Sequence, residues 1–441
     1  MSALLCRISR ALPHELPAAL WAFVYFFALL AAYYVLRPLR DEMGIQLGPD
    51  VLHELFTSVF LTMLAIVPVF GWLTRRFERR RLLPWLYGFF ILNLLGFYEV
   101  LQLAGTQSPW VARAFFVWVS VFNLFAISVF WSFMADLFDT AQAKRLVGFI
   151  AAGGTSGALC GPVLTLLLVK PLGAKGLVLV SAALLLVCIG AIVQLRRWAA
   201  RQGHAAQAAK AACEAELTPQ GTFQGSLWSG LKDVVRSPYL LGICAFLFLY
   251  SLLSTLLYFQ QAELVPKSFS GSGERTQALA GIDLLVNTVT LLIQLLAFGP
   301  LIQRLGIRFL LVVMPVASLV GYTALAAAPS LAVLVALGVV RRSGEYAISK
   351  PARETLFNVL PPEQKYRAKN VIDTLVHRTG DTSSAWIFNG LRQGLGLQGH
   401  QIAWLAVPVS ALWLAMAWQL GGQAEQRAKE AEAQPEGAAH T

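Results

Sequence analysis

Tyr33-Tyr34-Val35-Leu36-Arg37-Pro38-Leu39-Arg40-Asp41-Glu42-Met43-Gly44 closes a run of about twenty apolar residues with two arginines and two acids. If the helix continues through it, Tyr33, Arg37, Arg40 and Asp41 share one face, because residues three and four apart are neighbours on a helix. Two readings follow. Charges at the end of a membrane helix can snorkel into the headgroups, or they can line an anion site. The rest of the chain bears on the choice.

The surroundings are those of an integral membrane protein. Of 441 residues, 57% are hydrophobic and only 13% charged, too few to clothe a soluble chain of this size. The net charge of +11 lies in short loops between apolar runs, as the positive-inside rule requires, so no nucleic-acid partner is expected. Cys6, Cys160, Cys188, Cys213 and Cys244 are scattered and form no CxxC. Neither a disulfide framework nor a metal site is indicated, and no cofactor is expected. The N-terminal apolar run reads as an uncleaved first span, being too long for a signal peptide and lacking a small-residue cleavage pattern.

Hydropathy places spans at about 16–36, 54–73, 83–104, 111–135, 146–169 and 174–195, then 238–260, 277–302, 308–328, 330–348, 370–394 and 400–420. The predicted fold class is thus all-α, with twelve transmembrane helices. Residues 1–195 form an N-terminal six-helix bundle, 196–236 a cytoplasmic linker, 237–422 a C-terminal six-helix bundle and 423–441 a cytoplasmic tail. Clusters such as Arg75–Arg76, Arg79–Arg81, Arg196–Arg197 and Lys365–Arg367–Lys369 all fall on the side of the N-terminus. That side is cytoplasmic, and both termini are predicted there.

The halves repeat. Gly71, Leu73, Arg76, Arg80, Leu82 and Leu83 align without gaps on Gly299, Leu301, Arg304, Arg308, Leu310 and Leu311. Nearly the same offset brings Gly153-Gly154-Thr155-Ser156-Gly157-Ala158 onto Gly380-Asp381-Thr382-Ser383-Ser384-Ala385. A parallel six-span repeat resembles the major facilitator superfamily, whose substrate site lies near midplane between the halves. The loop from Gly71 to Arg81 is similar to that superfamily's loop after the second span. The resemblance implies a gating role for Arg76, Arg80, Arg304 and Arg308. Gly148, then Gly157, Gly161 and Pro162, are similar to its antiporter motif in the fifth span. Small residues at this spacing serve close helix packing, or a joint that flexes.

Three further spans carry polar stripes. Asp283, Asn287, Thr290 and Gln294 lie on one face of the eighth, which should therefore meet a cavity and not lipid. The seventh has a milder stripe, Tyr250, Ser254, Tyr258 and Gln261, which interhelical hydrogen bonding explains equally well. In the eleventh, Lys369, Asp373, His377 and Asp381 recur every four residues beside Arg378, and Lys369 can pair with Asp373. His377 is a candidate for titration near neutral pH, or is simply hydrogen-bonded. No HExxH, Walker-type or GxSxG motif occurs, and the chain is not expected to be an enzyme.

Four blocks resemble the ATP/ADP translocases of plastids and intracellular bacteria and their free-living bacterial relatives. Leu36-Arg37-Pro38-Leu39-Arg40-Asp41 is similar to LRxxKD. Phe130-Trp131-Ser132-Phe133 with Ala143-Lys144-Arg145 is similar to FWxF…AKR. Tyr346 with Pro351-Ala352-Arg353-Glu354 is similar to Y…PxKE, and Lys369-Asn370-Val371-Ile372-Asp373…Arg378-Thr379-Gly380 to KxxID…RxG. The resemblance implies that basic residues of the first and last blocks contact nucleotide phosphates. Arg40 holds the first of these positions. At the second, Asp381 stands where the family has lysine, reversing the charge.

The expected protein is a secondary transporter of an organic anion, a nucleotide or another phosphorylated compound, in the bacterial inner membrane. It would act as a monomer by alternating access. Arg37, Arg40 and Arg378 would hold the anion, with Asp381, Asp283, Asn287 and Tyr33 beside it. Asp283, Asp381, Asp41 and His377 are the proton-coupling candidates. Tyr33 and Tyr34 stack on a base or pack on a neighbouring helix. The alternatives are a proton-coupled symporter or efflux carrier for an unrelated solute, and a membrane protein that does not transport.

Overall fold

The computed structural model describes residues 12–76, 79–105, 108–210, 227–296, 298–372 and 376–433. Every regular element among them is helical. In chain order they are α1 (Leu16–Gln46), α2 (Leu52–Arg76), α3 (Arg79–Ala104), α4 (Pro109–Leu137), α5 (Thr140–Lys210), α6 (Leu227–Arg236), α7 (Pro238–Ser268), α8 (Ser272–Leu296) and α9 (Phe298–Ala327). Then come α10 (Leu331–Gly344), a π-helical segment (Glu345–Ser349), α11 (Lys350–Leu356), α12 (Pro362–Val371), α13 (His377–Asn389), a second π segment (Gly390–Gly394) and α14 (Gly399–Ala433).

The twelve expected spans are recovered. Among the described residues, eight helices are long and apolar enough by themselves to cross a membrane. At 71 residues α5 is far longer than one crossing needs, and its backbone breaks at Gly173, where φ is 66°. That is a left-handed conformation glycine adopts without a Cβ clash, and it divides the fifth span from the sixth. Gly306, with φ 72°, breaks α9 in the same way and separates the predicted span ending near 302 from the one beginning near 308. The tenth span is α10, the π segment and α11 in succession, and the eleventh is α12, α13 and the second π segment.

The first span runs ten residues beyond its predicted end at about 36, to Gln46. Pro38 lies inside the helix, and the helix carries on without the one hydrogen bond that Pro38 cannot donate. α1 is buried over most of its surface, with Ala18, Ala22, Tyr25, Leu29, Ala32 and Leu36 fully enclosed, while Trp21 is 38% exposed. A helix apolar all round belongs inside a bundle, not against lipid.

Contacts divide the chain into two compact units. The first takes described residues of 1–47, 61–221 and 269–284, and the second those of 48–60, 222–268 and 285–441. In the first, α1 packs along α5 through glycines. A Cβ on Gly153 would lie 2.5 Å from the Phe23 carbonyl oxygen, one on Gly157 2.2 Å from that of Phe27, and one on Gly161 2.6 Å from Tyr34 Cβ. No larger residue fits without parting the helices. The aromatic core beside this seam stacks Phe26 on Phe130 and donates the Tyr25 hydroxyl to that of Tyr87 at 2.7 Å. Phe130 and Phe133 are therefore core residues. In the second unit α7 packs on α13 and α14, and α9 lies along α14.

Candidate functional site

The unbroken α1 makes a single charged face of the opening stretch. Arg40 donates from Nη2 and Nε to Asp41 Oδ1 at 2.6 and 3.0 Å, and from Nη1 to Ser120 Oγ of α4 at 3.5 Å. Its guanidinium also lies over the Phe116 ring at 5.2 Å. Arg37 sits one turn back, with Nη1 3.2 Å from Asp283 Oδ1 of α8 and Nε 4.0 Å from Asp41 Oδ2. Its guanidinium lies 5.8 Å from the Tyr34 ring centre, and Tyr34 meets Tyr33 edge-on at 5.2 Å. Tyr33 is half-buried and packs against the apolar core of the first unit.

Arg37, Arg40, Asp41 and Asp283 form one cluster with two charges of each sign. Asp283 is 2% exposed, so its charge is supported by Arg37 and not by bulk water. Removing either partner of such a buried pair typically costs about 3–5 kcal/mol. The residue after Asp41 on α1, Glu42, is fully buried. Arg275 of α8 reaches both Glu42 oxygens from Nε at 3.0 Å, and Gln46 donates to Glu42 and to Ser272 at 3.0 and 3.1 Å. The first half of α8 is therefore clamped to α1 by two ion pairs and an amide bridge. Snorkelling does not describe these arginines, because their partners are buried carboxylates of the protein.

Of the other expected residues, Asn287, Arg308, Arg378 and Asp381 fall in the second unit. Asn287 is buried, one turn beyond Asp283 on α8. Arg378 and Asp381 are half-buried on α13. The side chains of His377, Arg76, Arg80 and Arg304, and the whole of Asp373, lie outside the described residues. Lys369 pairs with Glu354, which joins the third and fourth resemblance blocks. Arg308 turns its guanidinium onto Trp418 of α14 at 3.6 Å, and its backbone N–H donates to Glu425 Oε1 at 3.3 Å. Gly157, Gly161 and Pro162 lie in α5, the two glycines on its seam with α1.

Several charged residues of the spans escape a reading by motif. Arg341 is 4% exposed about 15 Å along α10, at the depth of a bilayer midplane. It donates to Ser318, to Ser254 at 2.9 Å and to the Tyr250 carbonyl at 3.4 Å, among the rings of Tyr250, Tyr322 and Trp413. Glu345 pairs with Arg353 at 3.2 Å, both buried. Glu15 pairs with Arg145 at 2.6 Å, giving the Ala143-Lys144-Arg145 block a role in anchoring the start of α1. An arginine within an apolar run is itself a signal of burial with partners, and Arg341 carried that signal. Arg275 carried none, since its loop position reads as solvated until the fold is known.

The Major Facilitator Superfamily model matches residues 18–368. Among curated proteins, the chain is 22% identical to ADP,ATP carrier protein 2 of Chlamydia pneumoniae, covering 90% of this chain and 87% of that one. It is 24% identical to ADP,ATP carrier protein 1 of the same organism over 42% of this chain and 41% of that one. Among solved structures, it resembles a bacterial homologue of the iron transporter ferroportin in an inward-facing state (TM-score 0.63, 16% identity, 93% and 98% of the two chains). It also resembles the nucleoside transporter NupG (TM-score 0.60, 14% identity, 96% and 99%). At these identities the structural likeness speaks for the fold alone.

Proposed function

The chain belongs to the Major Facilitator Superfamily, and from that premise we propose that it is a secondary transporter of an organic anion, a nucleotide or another phosphorylated compound. The observation that carries this reading is the pair of guanidiniums on α1, Arg37 and Arg40, held inside the protein by Asp283 and Asp41. Guanidinium matches phosphate and carboxylate in geometry and charge. The similarity to two ADP,ATP carrier proteins supports the same class of solute. The positive-inside pattern supports a bacterial inner membrane with both termini cytoplasmic. Bundles at 1–195 and 237–422, alternating access, and gating by Arg76, Arg80, Arg304, Arg308 and the Gly157–Gly161–Pro162 segment complete the reading. Arg378, Asp381, Asn287 and Tyr33 are assigned to the solute path.

The charge balance constrains the mechanism. With Arg37 and Arg40 matched by Asp41 and Asp283, an arriving anion competes with a carboxylate for its arginine. Either the solute displaces Asp283 from Arg37, or a proton on Asp283 releases Arg37 first. The first suits exchange of one anion for another, and the second suits proton-coupled uptake. Asp283 is the coupling residue in both, with Asp41, Asp381 and His377 as further candidates.

Proteoliposomes decide between these. Radiolabelled nucleotides, sugar phosphates and carboxylates are screened for uptake with and without an internal pool and a pH gradient. Arg40→Ala should abolish uptake of the transported anion while the protein remains folded. Unchanged uptake would remove Arg40 from the site. No uptake of any anion by the unaltered protein would reject the anion reading.

A further inference from the structure

At midplane depth the second unit holds a cation that no acid matches. Arg341 of α10 is 4% exposed. Among the described residues its partners are the hydroxyls of Ser318 and Ser254 and the Tyr250 carbonyl, all of them neutral. They solvate the guanidinium and leave its charge in place. Glu345 stands one turn on, and it is already paired with Arg353 at 3.2 Å. The buried stripe of Arg341, Glu345 and Arg353 therefore holds two cations and one anion, each at most 5% exposed. All of these residues belong to the second unit. An unmatched charge inside a span is costly, and it persists where something else compensates it.

Two hydrogen-bond donors accompany that charge. Arg341 Nε and Trp413 Nε1 are both buried and have no partner among the described residues. Trp413 of α14 is fully enclosed, and its ring centre lies 5.6 Å from the Arg341 guanidinium carbon. Buried N–H groups without an acceptor are uncommon, because each forfeits the hydrogen bond it made in water. Guanidinium and indole nitrogens can only donate, so they cannot satisfy one another. A neutral acceptor would meet the donors and leave the charge. An anion meets both.

The enclosure sets the size of that anion. Ser318, Tyr322 and Trp413 are fully buried, and the Tyr250 and Tyr322 ring centres stand 5.8 and 5.9 Å from the same guanidinium carbon. So tight a shell suits a single-atom anion and not a phosphate ester. The indole N–H lies on the positive rim of its ring, the part that attracts negative charge.

We propose that Arg341 and Trp413 hold a chloride ion inside the second unit, as a resident counter-ion and not as cargo. The inference is independent of which solute the protein carries.

The test is the thermal midpoint of the purified full-length protein at fixed ionic strength, with chloride exchanged stepwise for gluconate, an anion too large for the shell. Above the dissociation constant the midpoint is expected to climb with the logarithm of chloride concentration, as for any ligand that binds only the folded state. Bromide should replace chloride. Trp413→Phe keeps a ring and removes the N–H, and should weaken chloride binding about tenfold, the effect of losing one hydrogen bond to a charged partner. Arg341→Met should abolish the chloride dependence; if that variant does not fold, Trp413→Phe decides alone. A midpoint of the unaltered protein that is indifferent to chloride overturns the proposal and leaves Glu345 to serve both arginines. A chloride dependence that Trp413→Phe leaves unchanged also overturns it, because the ion then binds elsewhere. Neither failure touches the transport reading, which rests on uptake.

Discussion

Arg37 and Asp283 show what a single residue contributes to this protein. Each alone would be a costly charge inside a span, and together they form an ion pair 3.2 Å across. The cost of separating them should be measurable. Asp283→Ala is expected to lower stability by about 3–5 kcal/mol, read as a drop in the thermal midpoint of the purified protein. Adding Arg37→Ala should recover part of that loss, because the double variant no longer leaves two buried arginines to share the single carboxylate of Asp41. If the double variant is as unstable as the sum of the singles, the two charges do not support one another. Arg341 solves the same problem differently, with two hydroxyls, one carbonyl and three aromatic faces in place of an acid. Cation–π contacts strengthen when desolvated, to about 2 kcal/mol or more, and three of them lie around this one cation.

Elements set where those residues stand. α1 passes through Pro38 as a helix, and without that continuity Arg37, Arg40 and Asp41 would not share a face. Its position is dictated by the glycine seam on α5, where Gly161 meets Tyr34 one turn ahead of Arg37. Gly157→Val should therefore part α1 from α5 and cost about 1–3 kcal/mol by overpacking. Thermal unfolding measures that loss, and uptake in proteoliposomes should fall more steeply than stability alone predicts, since the arginines move with the helix. Gly148 makes a control, because a Cβ there meets nothing within 4 Å and Gly148→Ala should be silent. The spacing of the glycines was legible in the sequence. Their partner was not, because a small-residue stripe states that something approaches closely and does not say what.

At the scale of the whole molecule, two helices are divided between the contact units: α2, at residue 60, and α8, with residues 269–284 in the first unit and those from 285 onward in the second. The first half of α8 is tied to α1 through Asp283, Arg275 and Ser272. Transport by alternating access requires that such ties be broken and remade. A Gln46→Cys, Ser272→Cys variant with the native cysteines replaced, joined by a short reducible crosslinker, should lose uptake and regain it on reduction. Uptake that persists across the link would show that α1 and the start of α8 move as one body. The repeat of Gly71–Leu83 on Gly299–Leu311 revealed the six-plus-six plan, and the family match carries it. Arg308, grouped by that repeat with Arg76, Arg80 and Arg304, instead lies on Trp418 of the last helix.

By itself the sequence determined the membrane environment, the all-α class, the number of spans and the stretch where charge enters the first helix. These depend on local quantities: apolar run length, the bilayer's demand for internally satisfied backbone, and the position of cations between runs. Only the tertiary structure decided which charges neutralise which. Arg37 finds Asp283, Glu42 finds Arg275, Lys369 finds Glu354, and Glu345 finds Arg353 across a π segment no periodicity announced. An ion pair between helices depends on how each helix is rotated and how deep it sits, and both are set by packing with distant segments. Hydropathy has no term for either, so it locates every charge along the chain and leaves its partner open.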